Sequence, residues 1–345
     1  MSITNKGENN MTILVTGGLG FIGSHICIEL LKSSYRVIII DNLSNSKIET
    51  LYGIEEITHK TIKLYIEDCG NEKVIDKIFK ENNIDAIIHC AGFKAVGESV
   101  KNPLKYYENN LKTTIVLLRM MNNHSIKKII FSSTATVYGI PNKSPIDEMC
   151  KVGNTTNPYA TTKYMIEKIL LDLYESDKEW SIGILRYFNP IGAHESGLIG
   201  ENPNGVPNNL MPYILKVASG ELPYLNIFGN DYDTYDGTGV RDYIHVVDLA
   251  RAHIKALNKI NDKDNIYIYN IGTGRGYSVL DVINTFERIN HIRINYKTTD
   301  RRPGDIDEYY SNPKKAEKEL NWKAKLDLEE MCIDSWNFYR KEKRL

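Results

Sequence analysis

A short apolar run, "TILV" from Thr12, breaks into "TGGLGFIGSH", and this stretch restricts the fold more than any other. Gly17, Gly20 and Gly23 recur every third residue, after what reads as a strand and where a helix opens. Glycine at such a turn permits positive φ, and the missing side chains let backbone N–H groups approach a pyrophosphate. The helix N-terminus adds partial positive charge there. A glycine triplet alone is a weak signal, and its bland reading is a tight turn without a ligand. Here the context agrees with a dinucleotide site. The second strand, "YRVIIIDN" from Tyr35, ends on Asp41, 18 residues beyond Gly23. A carboxylate at that place binds both ribose hydroxyls and repels a 2′-phosphate. No arginine directly follows it, which favours NAD over NADP.

Further strands are expected in "TIKLYIED" from Thr61, "DAIIHCAG" from Asp85, "KKIIFSSTATVYG" from Lys127 and "WSIGILRYFNP" from Trp180. Amphipathic stretches such as 24–32 and 71–81 lie between them. Near-continuous apolar strands alternating with helices imply an α/β fold, a doubly wound parallel (Rossmann) sheet covered on both faces. From Pro190 onward the chain is richer in Gly, Pro and Asn, as in a smaller α/β substrate domain. "YIYNIGTG" around Tyr269 reads as one more buried strand, so the two domains should interleave. The expected division is a loose tail at 1–10, an NAD-binding domain at 11–188 with a return near 240–275, and a mostly substrate-binding domain at 189–345.

A net charge of -1 gives no electrostatic ground for binding nucleic acid or an anionic membrane. The longest apolar runs are strand-sized, and the polar opening "MSITNKGENN" lacks the apolar core of a signal peptide. Five scattered cysteines without CxxC spacing and eight dispersed histidines argue against a disulfide framework or a metal site. A reduced, cytoplasmic setting is the expectation.

The chemistry is carried by "NPYATTKYMIEKILLDL" from Asn157. Asn157 can cap a helix and Pro158 suits its first position. Tyr159 and Lys163 then share one face, which is either a surface pair or a proton-transfer pair. An ammonium beside the phenol, together with the charge of an oxidised nicotinamide, would favour the phenolate. Ser132, Ser133 and Thr134 close the fifth strand at the sheet edge where ligands of such folds gather, and Thr134 could share a hydrogen bond with Tyr159. "IEDCG" closes the third strand, and Asp68 there can reach an adenine amino group or cap the next helix. Ala91 and Gly92 pass the cofactor as small backbone units, and Lys94 offers a cation, or is an ordinary surface lysine.

This constellation resembles the extended short-chain dehydrogenase/reductase superfamily. "AGFKAVGESV", "FSSTATVYG", "LRYFNPIGAH", "PNNLMPYI", "IFGNDYDTYDGTGVRDYIHV" and "RRPGDIDEYY" narrow the resemblance to the UDP-glucose 4-epimerase family, from about residue 11 to 340. The resemblance implies galactose metabolism, in which tightly held NAD serves interconversion of UDP-glucose and UDP-galactose through a 4-keto sugar. It implies that Tyr159 takes the 4-hydroxyl proton, that Lys163 lowers the tyrosine's pKa and holds the nicotinamide ribose, and that Thr134 bridges to the hydroxyl. Cofactor contacts carried over are Gly17, Gly20, Phe21, Ile22, Gly23, Asp41, Asn42, Asn45, Ser46, Asp68, Cys69, Cys90, Ala91, Gly92, Lys94, Asn109, Ser132, Tyr159, Lys163 and Tyr187. For the UDP-sugar they are Lys94, Thr134, Tyr187, Asn189, Asn209, Leu210, Phe228, Arg241, Tyr243, Arg302, Asp305 and Tyr309. Taken singly, a loop arginine is usually solvated and a turn asparagine usually supports backbone.

A bulky Tyr309 is associated in that family with a sugar pocket too small for a 2-N-acetyl group. Cys90 replaces a larger residue and offers a thiol for alkylation, and Thr161-Thr162 replaces a basic-small pair. A homodimer through helices at 103–121 and 159–173 is implied, unless their apolar stripes only cover the sheet. The nearest rival is a sugar-nucleotide 4,6-dehydratase, but Ala135 and Thr136 stand where its acid and base would be. A non-catalytic NAD-binding regulator would lack the Tyr159–Lys163 pair.

Overall fold

The computed structural model describes residues 11–202, 207, 209–302 and 304–344. The tail expected at 1–10 lies outside the described residues. β1 (Thr12–Thr16), α1 (Phe21–Lys32), β2 (Arg36–Ile40), α2 (Glu49–Thr58), β3 (Lys63–Tyr65), α3 (Glu72–Glu81) and β4 (Ala86–His89) follow one another in strict alternation. α4 (Val96–Lys101) and α5 (Pro103–Asn123) lead to β5 (Lys128–Thr134), and α6 (Pro158–Ser176) leads to β6 (Ser181–Tyr187). The second half opens with β7 (Asn189–Ile191), α7 (Leu210–Ala218), β8 (Leu225–Phe228), β9 (Val240–Arg241) and β10 (Tyr243–His245). It continues through α8 (Val246–Asp262), β11 (Ile266–Ile271), β12 (Tyr277–Ser278) and α9 (Val279–Asn290). β13 (Tyr296–Thr299), β14 (Glu308–Tyr309), α10 (Lys314–Leu320) and α11 (Leu328–Lys343) complete it.

The main sheet runs β11-β6-β5-β4-β1-β2-β3, all parallel. Strand order reverses direction between β1 and β4, which opens a crevice at their C-terminal ends. Alternation within each strand feeds two separate cores. Ile13 and Val15 pack with Ile39 and Ile88 on the face covered by α1 and α8. Leu14 packs with Ile38, Ile87 and Ile129 on the opposite face. Both sets are buried, so the strands read as continuous apolar runs. Each such side chain contributes about 1.5–3 kcal/mol by leaving water.

β11 joins the sheet beside β6, in register from Ile266↔Ile182 to Ile271↔Tyr187. The remaining elements gather around a third core, with Ile214, Ile227, Ile283, Phe286 and Met331 at its centre. Three small sheets, β10-β7, β12-β9-β14 and β13-β8, line the cleft between that core and the main sheet. The fifth strand is shorter than its sequence suggested. It ends at Thr134, whose hydroxyl accepts from Thr136 N at 3.2 Å and starts a 3-10 turn over Ala135–Tyr138. The hydroxyl competes for backbone that would otherwise continue the ladder. Among the described residues no helix is long and apolar enough to cross a membrane.

Candidate active site

The glycine turn sits at the reversal of strand order. Gly17 has φ +67°, and a Cβ there would lie 2.9 Å from Ala91 N. A Cβ on Gly23 would lie 2.2 Å from the Gly17 carbonyl oxygen, so the helix can enter this close only without one. Gly20 is the N-cap of α1 and has no side chain to bond the first-turn amides of Phe21 and Ile22. Those donors face the crevice end of the helix, where an anion is favoured. Asp41 closes β2 and is 8% exposed. Its carboxylate accepts from Leu19 N at 3.0 Å, Leu43 N at 3.0 Å and Ser46 Oγ at 2.7 Å. Asn42 and Asn45 are exposed on the loop that follows.

Asp68 is exposed at the end of β3 and turns its Oδ1 back to Gly70 N at 2.7 Å. Its bland reading as a helix cap does not hold, because Asn71 caps α3 through Lys73 N at 3.1 Å. The Cys69 thiol is buried and pushed up to about 12 by that burial. Beyond β4, half-buried Cys90 lies beside Ser132. Burial raises this thiol to about 12 as well, which disfavours the thiolate. Lys94 is not a free cation. It is bonded to Glu201 at 2.9 Å and lies 5.8 Å over the Phe21 ring. Glu201 also accepts from Asn209 Nδ2 at 3.2 Å, beside Leu210 at the start of α7. Glu201 thus ties the loop after β4 to the second half of the chain.

Asn157 caps α6 through Ala160 N at 2.9 Å, with Pro158 in the first position. Tyr159 and Lys163 follow on one face, one turn apart. Lys163 is 6% exposed and donates from Nζ to the Ser132 carbonyl at 2.7 Å. Burial brings its ammonium down to about 8. The Tyr159 phenol lies beside the Thr134 hydroxyl. The expected acidity of Tyr159 is not a property of the protein alone. Burial pushes the phenol up to about 12, and the opposing influence is Thr134, not Lys163. Removing the phenol from water outweighs a lysine whose own charge is held by a carbonyl. Asn109 is half-buried and donates to Asn110 Oδ1 at 3.0 Å. Asn110 was not anticipated. Buried in α5, it bonds Phe93 N at 2.8 Å and Thr162 Oγ1 at 3.0 Å, holding the loop after β4 to the helix of Tyr159. An amide inside an apolar stripe was its signal.

Tyr187 lies beneath the site, opposite Thr134 in the β5–β6 register. Its hydroxyl is committed to His253 Nε2 and Ser132, so the phenol is not free to meet a ligand. Asn189 pairs with buried Tyr243 across β7 and β10. Tyr309 donates to the Ala135 carbonyl at 2.5 Å and packs 5.8 Å from Phe188. Its ring is thereby held one residue from Thr134. In the β14–β9 register Tyr309 pairs with Arg241. That arginine lies 3.8 Å from Asp305, to which Arg302 donates at 2.9 Å. The Arg302 guanidinium rests 4.9 Å over the half-exposed ring of Phe228. Arg241, Arg302, Asp305 and Phe228 therefore form one cluster. Asn226, two residues from Phe228 on the same face of β8, was also missed. Its buried Oδ1 has no partner among the described residues.

No group of three or more His, Cys, Asp or Glu residues among those described is placed to hold a metal ion. A family model described as GDP-mannose 4,6 dehydratase matches residues 14–335. A UDP-glucose 4-epimerase of Bacillus subtilis is 56% identical over 328 residues, covering 95% of this chain and 96% of its own. The crystal structure of UDP-glucose 4-epimerase from Bifidobacterium longum, in complex with NAD+ and UDP, superposes with a TM-score of 0.93 at 53% identity. It covers 96% of this chain and 99% of its own. UDP-glucose-4-epimerase from Stenotrophomonas maltophila, with bound NAD and formylated UDP-arabinopyranose, gives 0.95 at 43%, covering 97% and 99%.

Proposed function

Since the chain belongs to the UDP-glucose 4-epimerase family of the extended short-chain dehydrogenase/reductases, we propose that it interconverts UDP-glucose and UDP-galactose with tightly bound NAD. The observation that carries the reading is the placement of Tyr159 beside Thr134 at the sheet edge, with Tyr309 bonded to Ala135 and paired in register with Arg241 of the arginine cluster.

The residues present fit a dinucleotide. A Cβ at Gly17 or Gly23 would strike the chain's own backbone, so the turn closes this tightly only with glycine, and the first amides of α1 lack a side-chain cap. Asp41 would meet the adenosine ribose, and Lys163 the nicotinamide ribose with the ammonium donors that Ser132 leaves over. When bound, NAD supplies a reversible hydride acceptor. The chain's own work is proton handling and orientation. Tyr159 takes the proton of the 4-hydroxyl while Thr134 bridges hydroxyl and phenol, and the same pair returns the proton to the keto oxygen once the sugar has presented its other face. A phenol pushed up to about 12 needs added positive charge to serve as a base, and an oxidised dinucleotide beside Lys163 would provide it.

A 4-keto sugar must turn over between the two half-reactions, so its tether has to be the nucleotide and not the hexose. Arg241 and Arg302 supply charge-assisted donors for the diphosphate. Phe228 offers a face to the base, Asp305 an acceptor to the ribose, and Asn189 and Asn209 amides for the diphosphate and sugar. Tyr309 closes the sugar end and makes UDP-N-acetylhexosamines poor substrates. We further place a homodimer contact on α5 and α6. There a groove of about 530 Å³ is lined by Ile115, Leu118, Ile169, Leu173 and Trp180.

The second reading is a 4,6-dehydratase, after the description of the matching family model. Ala135 and Thr136 occupy the turn directly after Thr134, where an acid and a base would be required. Incubating the purified protein with UDP-galactose and no added cofactor tests these readings. UDP-glucose is the expected product, a 4-keto-6-deoxy sugar would establish a dehydratase, and no turnover would leave an NAD-binding regulator.

A further inference from the structure

Three consecutive residues of β5 each face one turn of α6. Thr134 lies beside the Tyr159 phenol, the Ser132 carbonyl accepts from Lys163 at 2.7 Å, and Ser133 Oγ donates to Glu167 Oε1 at 2.5 Å. Tyr159, Lys163 and Glu167 stand at i, i+4 and i+8, one face of the helix. Glu167 is 2% exposed and grips Arg186, which is 4% exposed, through two parallel bonds of 3.0 and 2.6 Å. Arg186 sits opposite Ser133 in the β5–β6 register and spends a further donor on Tyr138 Oη at 2.9 Å. Tyr138 passes on to Asn270 Oδ1 at 2.7 Å.

We propose that Glu167, held by Arg186, is a positioning residue for the catalytic pair: it clamps the third turn of α6 to β5 and sets a buried carboxylate on the helix face that carries Lys163. The proposal rests on the epimerase reading for its assay. Several titratable groups face Lys163. His89 and Cys90 come from the end of β4, Tyr187 from β6 close behind, and Tyr159 and Glu167 from its own helix. His89 is held neutral by burial, which lowers it to about 3, and Cys90 stays a neutral thiol at about 12. Both phenols are raised by burial. Beside Cys90, Glu167 opposes the desolvation that lowers Lys163, and it is the carboxylate of the set. Arg186 is not redundant with Lys163. It pairs the buried carboxylate through two bonds, where one left alone would stand uncompensated in the core.

The alternative is an ion pair that only joins β5, β6 and α6, and the pH dependence of kcat separates the two. E167Q keeps the shape and removes the charge. The alkaline limb, where Lys163 loses its proton, is expected about one pH unit earlier than in the wild type. E167D keeps the charge and shortens the reach. Its limb should stay in place while kcat falls about tenfold at every pH with KM unchanged. The neutral pair E167Q/R186Q leaves no unmatched charge in the core and covers the case in which E167Q does not fold. Its limb should move in the same direction by less. An unmoved limb in either folded glutamine variant overturns the proposal, as does an E167D enzyme with wild-type kcat throughout. A wild-type protein that does not epimerise UDP-galactose would sink the functional reading instead.

Discussion

At the glycine turn the contacts are backbone. Gly17 and Gly23 let backbone pack against backbone more closely than any Cβ would allow, and Asp41 is fixed by three internal donors. Around Phe228 the contacts are long side chains that reach one another across loops. Arg302 is 54% exposed at its side chain, and its partner Asp305 is 22% exposed. The first region is built so that a ligand, once seated, is matched by groups that cannot move away. The second holds its ligand by charges that reorganise. The contrast suits a reaction in which the redox group stays and the sugar nucleotide comes and goes. The face of α6 that carries Tyr159 and Lys163 belongs with the rigid side, since Ser132 and Ser133 pin two of its turns.

Breaking the rigid side should cost turnover without binding. Tyr159→Phe removes the proton acceptor and should lower kcat by about 10²–10⁴-fold, with KM for UDP-galactose within about threefold of wild type. A coupled assay of a dinucleotide-loaded variant measures both, and an unaltered kcat would exclude Tyr159 from the chemistry. Breaking the adaptable side should do the reverse. Arg302→Ala should raise KM about 10–100-fold, from the loss of about 1.5–3 kcal/mol of charged hydrogen bonding, and leave kcat within a fewfold. A fall in kcat at constant KM would place Arg302 in the chemistry. Tyr309→Ser touches both regions, being bonded to Ala135 and paired with Arg241. It should raise the turnover ratio of UDP-N-acetylglucosamine to UDP-glucose by about tenfold, the scale of a steric change in one pocket. Equal ratios before and after the substitution would remove the size argument.

Local signals read well from the chain. The β1 turn, the alternation of strands and helices, and the Asn157-Pro158 start of α6 are short-range patterns whose physics is complete within about ten residues. Competition between neighbours read less well. Asp68 and Asn71 could both cap α3, and only the position of the first helical turn decides. Partners distant in sequence were invisible: Lys94 meets Glu201, and Arg186, a charge inside an apolar strand pattern, meets Glu167. The acidity of Tyr159 was legible only in part. Spacing displays the lysine one turn below, but not the desolvation that the lysine and a dinucleotide's charge would have to oppose.

The bond between Arg302 and Asp305 has a consequence for how nucleotide enters and leaves. On the proposed reading, an incoming phosphate would not find an idle cation; it would displace a resident carboxylate, which would then turn to the ribose. Association at this end is thus a swap of counter-anions, and its net gain is the difference between two similar attachments. Such a site has a built-in ceiling on retention, so departure of the finished sugar nucleotide need not throttle the cycle.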